Sequence, residues 1–419
     1  IDEIVQELPT REYLDDRLTP IDDKLDKILQ AVEGKRKRKQ DIPFILPQLN
    51  ISNFTGREDE LKQLESQIFH KNGSRIVGIV GVTGTGGMGK STLAFHFAHK
   101  FKKRFPDGVI GLRIDSGSVD SIAQRFAAHV GVEIDPKKGL TASEIMQTVF
   151  QQRKALLIFD NAEEATAKEL RPCGNQCAVI VTTRNKGLLR SLDIPETAHI
   201  DLRRFEYVET KTLLEELIGK DRIADDEIST QKIHALVGGL PLAVRIVGGT
   251  LADQPFTSLQ EYAEALEKLK LELLKNEDDT NQDIRASFEI SLKFLSEAQI
   301  TLFAILSVCA REGFSLNTVQ AISEQTPIEM RTGLARLVKL SLLSEGNETG
   351  RFVLHPLLFD FAEELAKKRN LLQTAEEKHT TYFIGYAHRH RKLSANNLDA
   401  IENELDNLLL TAFRLLEHE

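Results

Sequence analysis

The chain of 419 residues has little cysteine, no long hydrophobic run and no excess of positive charge. Three cysteines cannot form a disulfide framework, and Cys173 and Cys177 have no nearby partners with zinc-ligand spacing, so both are interpreted as thiols. No apolar stretch reaches the roughly 18–20 residues that a membrane helix needs, and no signal-peptide pattern opens the chain. The net charge of −9 argues against a nucleic-acid-binding surface over the whole molecule. A cytoplasmic protein without a membrane segment in this chain is expected.

The length and the ends of the chain indicate several domains. A single core does not fill a chain this long, so about two to four domains are expected. Residue 1 is Ile rather than Met, and apolar residues at helical spacing continue from 398 to 415. We therefore expect a piece of a larger protein with neighbours at both ends.

The first 39 residues predict helices and a basic linker. Apolar residues at spacings of three and four predict helix over 1–34. It is either a short coiled-coil or effector-linked helix, or a helix packed on its own protein. The five cations at 35–39 either contact nucleic acid, acidic lipid or an import receptor, or form a solvated linker.

The most informative motif follows a short apolar segment at 76–80. Residues 84–91 read GxxxxGKS, a phosphate-binding loop whose glycines let consecutive N–H groups face the α- and β-phosphates. Lys90 would reach the β- and γ-phosphates, and the Ser91 hydroxyl would bind Mg²⁺. A helix from Ser91 to about 101 adds its positive N-terminal end. The predicted phosphate-binding residues are Gly84, Gly86, Gly87, Met88, Gly89, Lys90, Ser91 and Thr92.

The segment 75–203 alternates β-branched runs with amphipathic helices, which predicts an α/β fold with a parallel sheet covered on both faces. The expected strands are 76–80, 109–114, 155–160, 178–182 and 198–201. The expected helices are 90–104, 118–130, 142–152 and 185–191.

The rest of the chain is predicted to be mainly helical. Residues 205–298 read as helices, with an interruption at 238–241. Helices at 297–309, 315–323 and 328–340, followed by strands at 342–344 and 351–354, predict a winged-helix domain. A capping box with a first-turn proline at 326–329 places the start of the third helix. From 374, an antiparallel helix pair with Tyr382, Phe383 and Tyr386 inside predicts the start of a helical repeat array.

Two further strands end in residues suited to nucleotide chemistry. Asp160 ends a buried strand and either holds Mg²⁺ through water or caps a helix. Asn161 follows it and is a poor general base, so hydrolysis is expected to be slow unless Glu163 helps. Arg184 ends the segment 178–184, interpreted as a further strand, and either senses a γ-phosphate or forms a surface ion pair. We list Asp160, Asn161 and Arg184 as candidate catalytic residues, with Ser91 and Asp160 as metal ligands.

With these pieces in place, the chain resembles the NB-ARC ATPases, the STAND-class switches that include apoptosome scaffolds and plant disease-resistance proteins. It is most similar to bacterial relatives with a TPR-like helical sensor. The resemblance covers about 54–366 and depends on six motifs in the family's order. These are Phe54-Thr55-Gly56-Arg57-Glu58, the loop 84–91, 156–160, Thr182-Thr183-Arg184, Gly238-Gly239-Leu240-Pro241-Leu242 and Leu354-His355-Pro356-Leu357.

The resemblance implies roles for residues outside the phosphate loop. Arg57 and its neighbours Phe54 and Thr55 should line an adenine pocket, and Pro241 with Leu242 should lie near the base or sugar. His355 should contact the β-phosphate of ADP. From the residues alone, a single histidine after an apolar strand is more often a packed core residue.

The resemblance also implies domains and partners. The expected domains are an N-terminal helical segment and basic linker (1–42), an AAA+-like P-loop domain (43–204), a helical domain (205–296), a winged-helix domain (297–368) and the start of a helical sensor array (369–419). ADP or ATP with Mg²⁺ is the expected cofactor. ADP should hold the molecule closed, and ATP should open it to form a homo-oligomer after a trigger binds the sensor, activating an upstream effector domain.

Two residues differ from the family's motifs, and two alternative functions compete with this interpretation. Pro356 takes the place of the Asp that often follows the family's histidine, and Asn161 takes the place of a second acid. A transcriptional regulator would use Arg331, Arg336 and Lys339 of the third helix to contact DNA. A true turnover enzyme such as an AAA+ remodeller is the other rival. His388 and His390 are interpreted as a solvated helix end rather than a metal site.

Overall fold

The computed structural model describes residues 42–46, 54–70, 75–81, 86–114, 118–132, 134, 139–162, 165–171, 176–273, 282–346, 349–391, 400–401 and 403–417. The predictions for the N-terminal helices, the basic run at 35–39, Gly84, Glu163 and Cys173 fall outside these residues. Among the described helices, none is both long and apolar enough to cross a lipid bilayer.

Six strands of the described chain form one parallel sheet in the order β1-β3-β4-β5-β2-β6. They are β1 Phe44–Ile45, β2 Ile76–Gly81, β3 Val109–Arg113, β4 Leu156–Asp160, β5 Ala178–Thr183 and β6 His199–Leu202. The helices that accompany them are α1 Glu58–Phe69, α2 Lys90–Phe101, α3 Val119–His129, α4 Ala142–Phe150 and α5 Lys186–Ser191. The predicted α/β fold is confirmed, and the predicted strands lie within two residues of those observed.

The sheet is covered on both faces, as β4 illustrates. Leu157 and Phe159 pack with the helices α3 and α4, whereas Leu156 and Ile158 pack with α1 and α2. All five β4 side chains are buried, since a strand in the middle of a two-sided sheet alternates between two apolar layers. Burial of both faces fixes the register of β4 and so the position of Asp160 at its end.

A helical unit follows the sheet and shares one core with the C-terminal part of the chain. Its helices are α6 Tyr207–Ile218, α7 Lys220–Ala224, α8 Glu227–Val237, α9 Pro241–Asp253, α10 Leu259–Leu273 and α11 Gln282–Leu292. α8 ends at Gly238 in the left-handed conformation, and Pro241 occupies the first turn of α9. The turn therefore aims the N-terminus of α9 at the loop that follows β2, where the Leu242 N–H donates to the Gly87 carbonyl at 3.3 Å.

The next unit combines helices with a small antiparallel sheet in the order β7-β9-β8. Its elements are α12 Glu297–Ile305, β7 Phe314–Ser315, α13 Leu316–Ile322, α14 Pro327–Lys339, β8 Ser344–Glu345, β9 Arg351–Val353 and α15 Pro356–Lys368. The capping box of Thr326 and Glu329 at the start of α14 is confirmed. The winged-helix assignment of this unit stays a prediction.

One strand of this unit begins later than predicted. The N–H groups of Leu342 and Leu343 both donate to the Leu337 carbonyl, so these residues form a turn that follows α14 instead of pairing in a sheet. Both side chains are buried in the shared core. The strand β8 therefore starts at Ser344, after the apolar run that suggested it.

Two helices complete the described chain: α16 Leu372–Arg389 and α17 Leu405–Glu417. Phe383 is fully buried between them, and the Tyr386 hydroxyl donates to the Ala400 carbonyl at 2.8 Å. The pairing of two helices around this aromatic face agrees with the sequence pattern. The assignment to a repeat array stays a prediction.

The helical unit and the C-terminal unit are joined by buried charge. Asp253 at the end of α9 has a fully buried carboxylate that pairs with Arg336 at 2.6 Å and Lys339 at 3.1 Å, both on α14. Arg285 of α11 pairs with Glu364 of α15 at 2.7 Å. A buried carboxylate with two cationic partners is costly to separate, so these contacts specify how the two units dock.

Candidate functional site

The carboxyl ends of β2, β3, β4 and β5 lie at one edge of the parallel sheet. This edge is where ligands bind in open α/β folds, because loops and helix N-termini converge there. The residues Lys90, Asp160 and Arg184 follow or end three of these strands, and all three line one cavity. The strand ends that the sequence singled out are thus brought together.

The loop after β2 passes directly into α2. Gly89 caps α2 with φ of 86°, a left-handed conformation that favours glycine. The Lys90 side chain is only 9% exposed, which is low for a lysine, and it lines the cavity at the helix N-terminus. An ammonium group and a helix N-terminus at one point create a site for an anion.

Asp160 joins the phosphate loop to the neighbouring strand. Its Oδ1 accepts hydrogen bonds from the hydroxyls of Ser91 and Thr182, each at 2.6 Å. Asn161 follows in a left-handed conformation with φ of 56°, and its N–H donates to the Thr182 hydroxyl at 2.9 Å. A carboxylate and a serine hydroxyl in direct contact are the oxygen donors that Mg²⁺ prefers, so these residues fit a magnesium ion.

His355 reaches the same cavity from the C-terminal unit. It is the N-cap residue of α15, and its Nδ1 accepts the Leu357 N–H at 3.2 Å. Withdrawal from water and, to a smaller extent, the charges of Arg184, Lys90 and Arg113 lower the pKa of His355 to about 3. The ring is therefore neutral, and because Nδ1 accepts, Nε2 carries the proton and can donate to a ligand oxygen.

The cavity collects most of the predicted site residues and several others. Its described lining residues are Gly86, Gly87, Met88, Gly89, Lys90, Ser91, Thr92, Phe95, Arg113, Asp160, Asn161, Thr182, Arg184, Arg311, Glu312, Val353, Leu354, His355 and Pro356. They come from the sheet unit and from the C-terminal unit, so the site lies between two parts of the chain.

The other predicted residues lie beside the cavity rather than in its lining. Phe54 stacks on His96 with ring centroids 3.8 Å apart, and the Thr55 hydroxyl donates to Glu216. Pro241 and Leu242 begin α9 against the phosphate loop. Their predicted contacts with a base stay a prediction.

Arg57 is also outside the lining, yet it supports the loop. Its guanidinium is 3% exposed and donates to the carbonyls of Arg203 at 2.6 Å and Met88 at 3.4 Å. It also pairs with Glu60 at 2.9 Å and lies 4.9 Å from the Phe205 ring centroid. The Arg57 side chain thus ties the phosphate loop to the junction between β6 and α6.

Three charged lining residues were not predicted from the sequence: Arg113, Arg311 and Glu312. Arg113 ends β3 beside Asp160 in the sheet register, so the rule that draws attention to strand ends could have found it. Arg311 and Glu312 lie on the loop between α12 and β7. No spacing or motif marks that loop.

Two weaker predictions concern metals and thiols. No cluster of three or more His, Cys, Asp or Glu side chains able to hold a metal occurs in the described part of the chain. Cys177 is buried and donates to the Arg153 carbonyl at 3.0 Å, and burial raises the pKa of its thiol to about 11. Cys177 is therefore an inert thiol at neutral pH.

The fold and this cavity define a P-loop nucleotide-binding protein. Residues 57–223 match the NB-ARC domain family, which confirms the resemblance seen in the motifs.

The comparisons with whole proteins agree with this family. The "Regulatory protein AfsR" of Streptomyces coelicolor is 27% identical over 340 residues, which cover 78% of this chain and 33% of that protein. The "Disease resistance protein TAO1" of Arabidopsis thaliana is 23% identical over 356 residues, covering 80% of this chain and 28% of that protein. The chain thus spans about a third of the length of these curated relatives.

A solved structure shares the fold over most of the described chain. It is the crystal structure of a Signal Transduction ATPase with Numerous Domains (STAND) protein with a tetratricopeptide repeat sensor from Pyrococcus horikoshii. The TM-score is 0.54 at 16% sequence identity, with 84% of this chain and 47% of that chain covered. The likeness extends beyond the sheet to the helical C-terminal portion.

Proposed function

We propose that this chain is the core of an adenine-nucleotide signalling switch of the cytoplasm. ADP with Mg²⁺ holds the sheet unit, the helical unit and the C-terminal unit closed around the cavity. Exchange for ATP, after a trigger binds the C-terminal sensor, releases the C-terminal unit and permits oligomerisation. The oligomer activates an effector domain upstream, in immunity, antiphage defence or regulated cell death.

One observation carries the proposal: Lys90, Arg184 and His355 line a single cavity although two separate units supply them. A ligand held by both units favours the closed arrangement only by its difference in affinity between the two states. The Nε2–H of His355 offers such a difference, since it can reach the nucleotide only when α15 lies against the phosphate loop. Moving a switch from 1:99 to 99:1 requires about 5.5 kcal/mol, within reach of a few charge-assisted contacts and domain packing.

The first experiment identifies the nucleotide that co-purifies with the chain. We expect ADP close to one equivalent in the resting protein, measured by chromatography of the denatured extract. Absence of any adenine nucleotide, together with failure to bind added ADP, would contradict the proposal.

The second experiment removes the contact between units. His355→Ala should loosen ADP about tenfold or more, the value of one lost hydrogen bond to a charged group, and increase oligomers at equal protein concentration. Calorimetry and light scattering after gel filtration measure the two effects. His388→Ala, an exposed histidine on α16, is the matched control and should change neither. Unchanged ADP affinity and an unchanged size profile in His355→Ala would contradict the proposal.

Slow turnover is part of the same proposal. Asn161 stands directly after Asp160 and cannot act as a strong general base, so ATP hydrolysis should be far slower than the ~10 per second of an ordinary enzyme. A steady-state ATPase assay checks this. Rapid turnover would instead favour an AAA+ remodeller.

A transcriptional regulator is the second candidate, favoured by the similarity to the "Regulatory protein AfsR". The contacts of α14 weigh against DNA binding by this helix in the closed molecule. Arg336 and Lys339, two of its three candidate DNA contacts, pair with Asp253 of α9. Salt-dependent binding of duplex DNA by the whole chain, measured with and without nucleotide, would favour the regulator.

A further inference from the structure

The loop 309–313, between α12 and β7, brings two opposite charges to the cavity wall. Arg311 is occupied within its own unit, since it pairs with Asp360 at 2.7 Å and its guanidinium lies 4.3 Å from the Phe359 ring centroid. Glu312 is the carboxylate that the C-terminal unit contributes to the described lining, whereas Asp160 belongs to the sheet unit. The two carboxylates therefore face one site from opposite units.

Glu312 is held in position from both sides by α17. The Ala310 N–H donates to Asn407 Oδ1 at 2.8 Å, and the Asn407 amide donates to the Gly313 carbonyl at 3.0 Å. Asn407 is completely buried, so the loop cannot shift without breaking buried hydrogen bonds. The loop that carries Glu312 is thus a fixed part of the closed cavity, and Glu312 lines it.

The charges around Glu312 come from three elements. Arg113 at the end of β3 and Arg125 on α3 attract its carboxylate, whereas Asp406 on α17 repels it. Burial and the charge of Asp406 raise the pKa of Glu312 above its ordinary value. Arg113 lines the same cavity and lies beside Asp160 in the sheet register. Arg113 is therefore placed to interact with either Glu312 or a bound phosphate.

We propose that Glu312 is a specificity-determining residue that disfavours a third phosphate while the C-terminal unit is closed. The inference rests on the proposed function and deepens it. A triphosphate brings more negative charge than a diphosphate to the same cations, and like charges repel strongly where a cavity wall excludes water. Arg184 then attracts the added phosphate while Glu312 resists it, so a triphosphate is best accommodated when the loop 309–313 moves away.

The test compares two dissociation constants in one protein. Calorimetry on the whole chain, stripped of nucleotide, measures the binding of ADP and of a non-hydrolysable ATP analogue, each with Mg²⁺. Glu312→Gln should shift the ratio of the two constants toward the triphosphate by about tenfold, since removing a like charge relieves repulsion. Glu345→Gln, an exposed residue on β8 of the same unit, is the matched control and should keep the wild-type ratio.

Glu312→Asp separates charge from shape, because it keeps the carboxylate and should retain a ratio near that of the wild type. The inference is overturned if Glu312→Gln leaves the ratio within twofold of the wild type, or if Glu312→Asp shifts it as much as Glu312→Gln. Failure of the wild type to bind either nucleotide would contradict the proposed function instead. A melting temperature for each variant verifies that the comparison is made between folded proteins.

Discussion

Charge at the cavity is unbalanced in favour of cations. Its described lining contains four permanent positive charges and two carboxylates, namely Lys90, Arg113, Arg184 and Arg311 against Asp160 and Glu312. Burial, together with the charges of Arg184, Lys90 and Arg113, lowers the pKa of His355 and keeps its ring neutral. A polyphosphate with one Mg²⁺ would neutralise this excess, and its negative charge would raise the pKa of His355 again. The excess of positive charge in the lining therefore matches a negatively charged ligand such as a polyphosphate.

Lys90 provides the most direct test of the phosphate-loop assignment. Lys90→Ala removes an ammonium group that is largely buried at the start of α2, so nucleotide affinity should fall by about 100-fold or more. Lys100→Ala, at an exposed position on the same helix, serves as the control. Equilibrium binding of ADP measures both. An affinity unchanged in Lys90→Ala would refute the phosphate-loop assignment.

A second prediction for a single residue concerns the loss of folding stability at acid pH. Burial and, to a smaller extent, the charge of Arg414 lower the pKa of His379 from 6.5 to about 4. Between these values the unfolded chain binds a proton that the folded protein excludes, so stability falls as the pH drops from about 6.5 to 4. The loss approaches roughly 3 kcal/mol at the acid end.

His379→Gln removes the titrating ring and provides the comparison for this pH effect. Urea unfolding of both proteins at pH 7.5 and pH 5 measures it. The wild type should lose more stability between these pH values than the variant. Equal losses would show that the ring does not contribute.

A motif and the position of strand ends explain which site residues the sequence could predict. Lys90 and Ser91 follow from the phosphate-loop motif, and Asp160 follows from the rule that the carboxyl ends of parallel strands meet at one edge. Glu312 could not be predicted, because its position depends on how a distant unit docks. His355 shows the same limit: its sequence position alone favours a core residue, and only the family resemblance points to the ligand.

At the scale of elements, pattern and caps predicted the helices well. The Thr326 box and Pro327 place the start of α14 within one residue of the prediction. The strand at 342–344 was the exception, since an apolar pair looks the same in a strand as in a buried helix end. Two N–H groups directed at the Leu337 carbonyl decide between them, and such bonds are invisible in the sequence.

The packing of α9 on α14 leads to a prediction about two glycines. A Cβ on Gly249 would lie 2.8 Å from the Lys339 carbonyl oxygen and 2.9 Å from Leu340 backbone carbon, so Gly249→Ala should force the helices apart. We expect a loss of about 1–3 kcal/mol. Gly385→Ala, also inside a helix, meets only the flexible end of Arg389 at 3.3 Å. It should be neutral or stabilising by up to about 1 kcal/mol.

Chemical denaturation of the two variants tests this contrast. A loss of stability is expected only in Gly249→Ala. A loss of the same size in both would mean that the approach of α9 and α14 does not limit the side chain at 249.

At the scale of the whole molecule, α17 connects the far end of the chain to the cavity. Asn407 binds the loop 309–313 on one side and His379 of α16 on the other, at 3.2 Å. Neither residue is among the described lining residues of the cavity, yet the loop that Asn407 holds contributes Arg311 and Glu312 to that lining. Changes at the C-terminal helices can therefore reach the ligand through one short loop.

Asn407→Leu tests this connection. Leaving the Ala310 N–H and the Gly313 carbonyl without a partner should cost about 2–4 kcal/mol of stability and change ADP affinity several-fold. Thr411→Val, which removes a buried hydroxyl bonded to the Asn407 carbonyl of its own helix, is the control. Its ADP affinity should equal that of the wild type. Thermal unfolding and ADP titration measure both, and identical ADP affinity in Asn407→Leu would contradict the connection.

The ion pair between Arg125 of α3 and Asp406 of α17, at 3.7 Å, joins the sheet unit to the last described helix. The described units therefore contact one another in a closed ring. Because the units contact one another in a ring, a rotation of the C-terminal unit away from the cavity must also separate α3 from α17. Both side chains are about one-third exposed, so this joint contributes only about 0–1 kcal/mol. The Asp253 joint is buried and far more resistant. In the proposed opening, the α3–α17 ion pair is therefore the weaker of the two joints, and the contact of α9 with α14 is the one expected to hold.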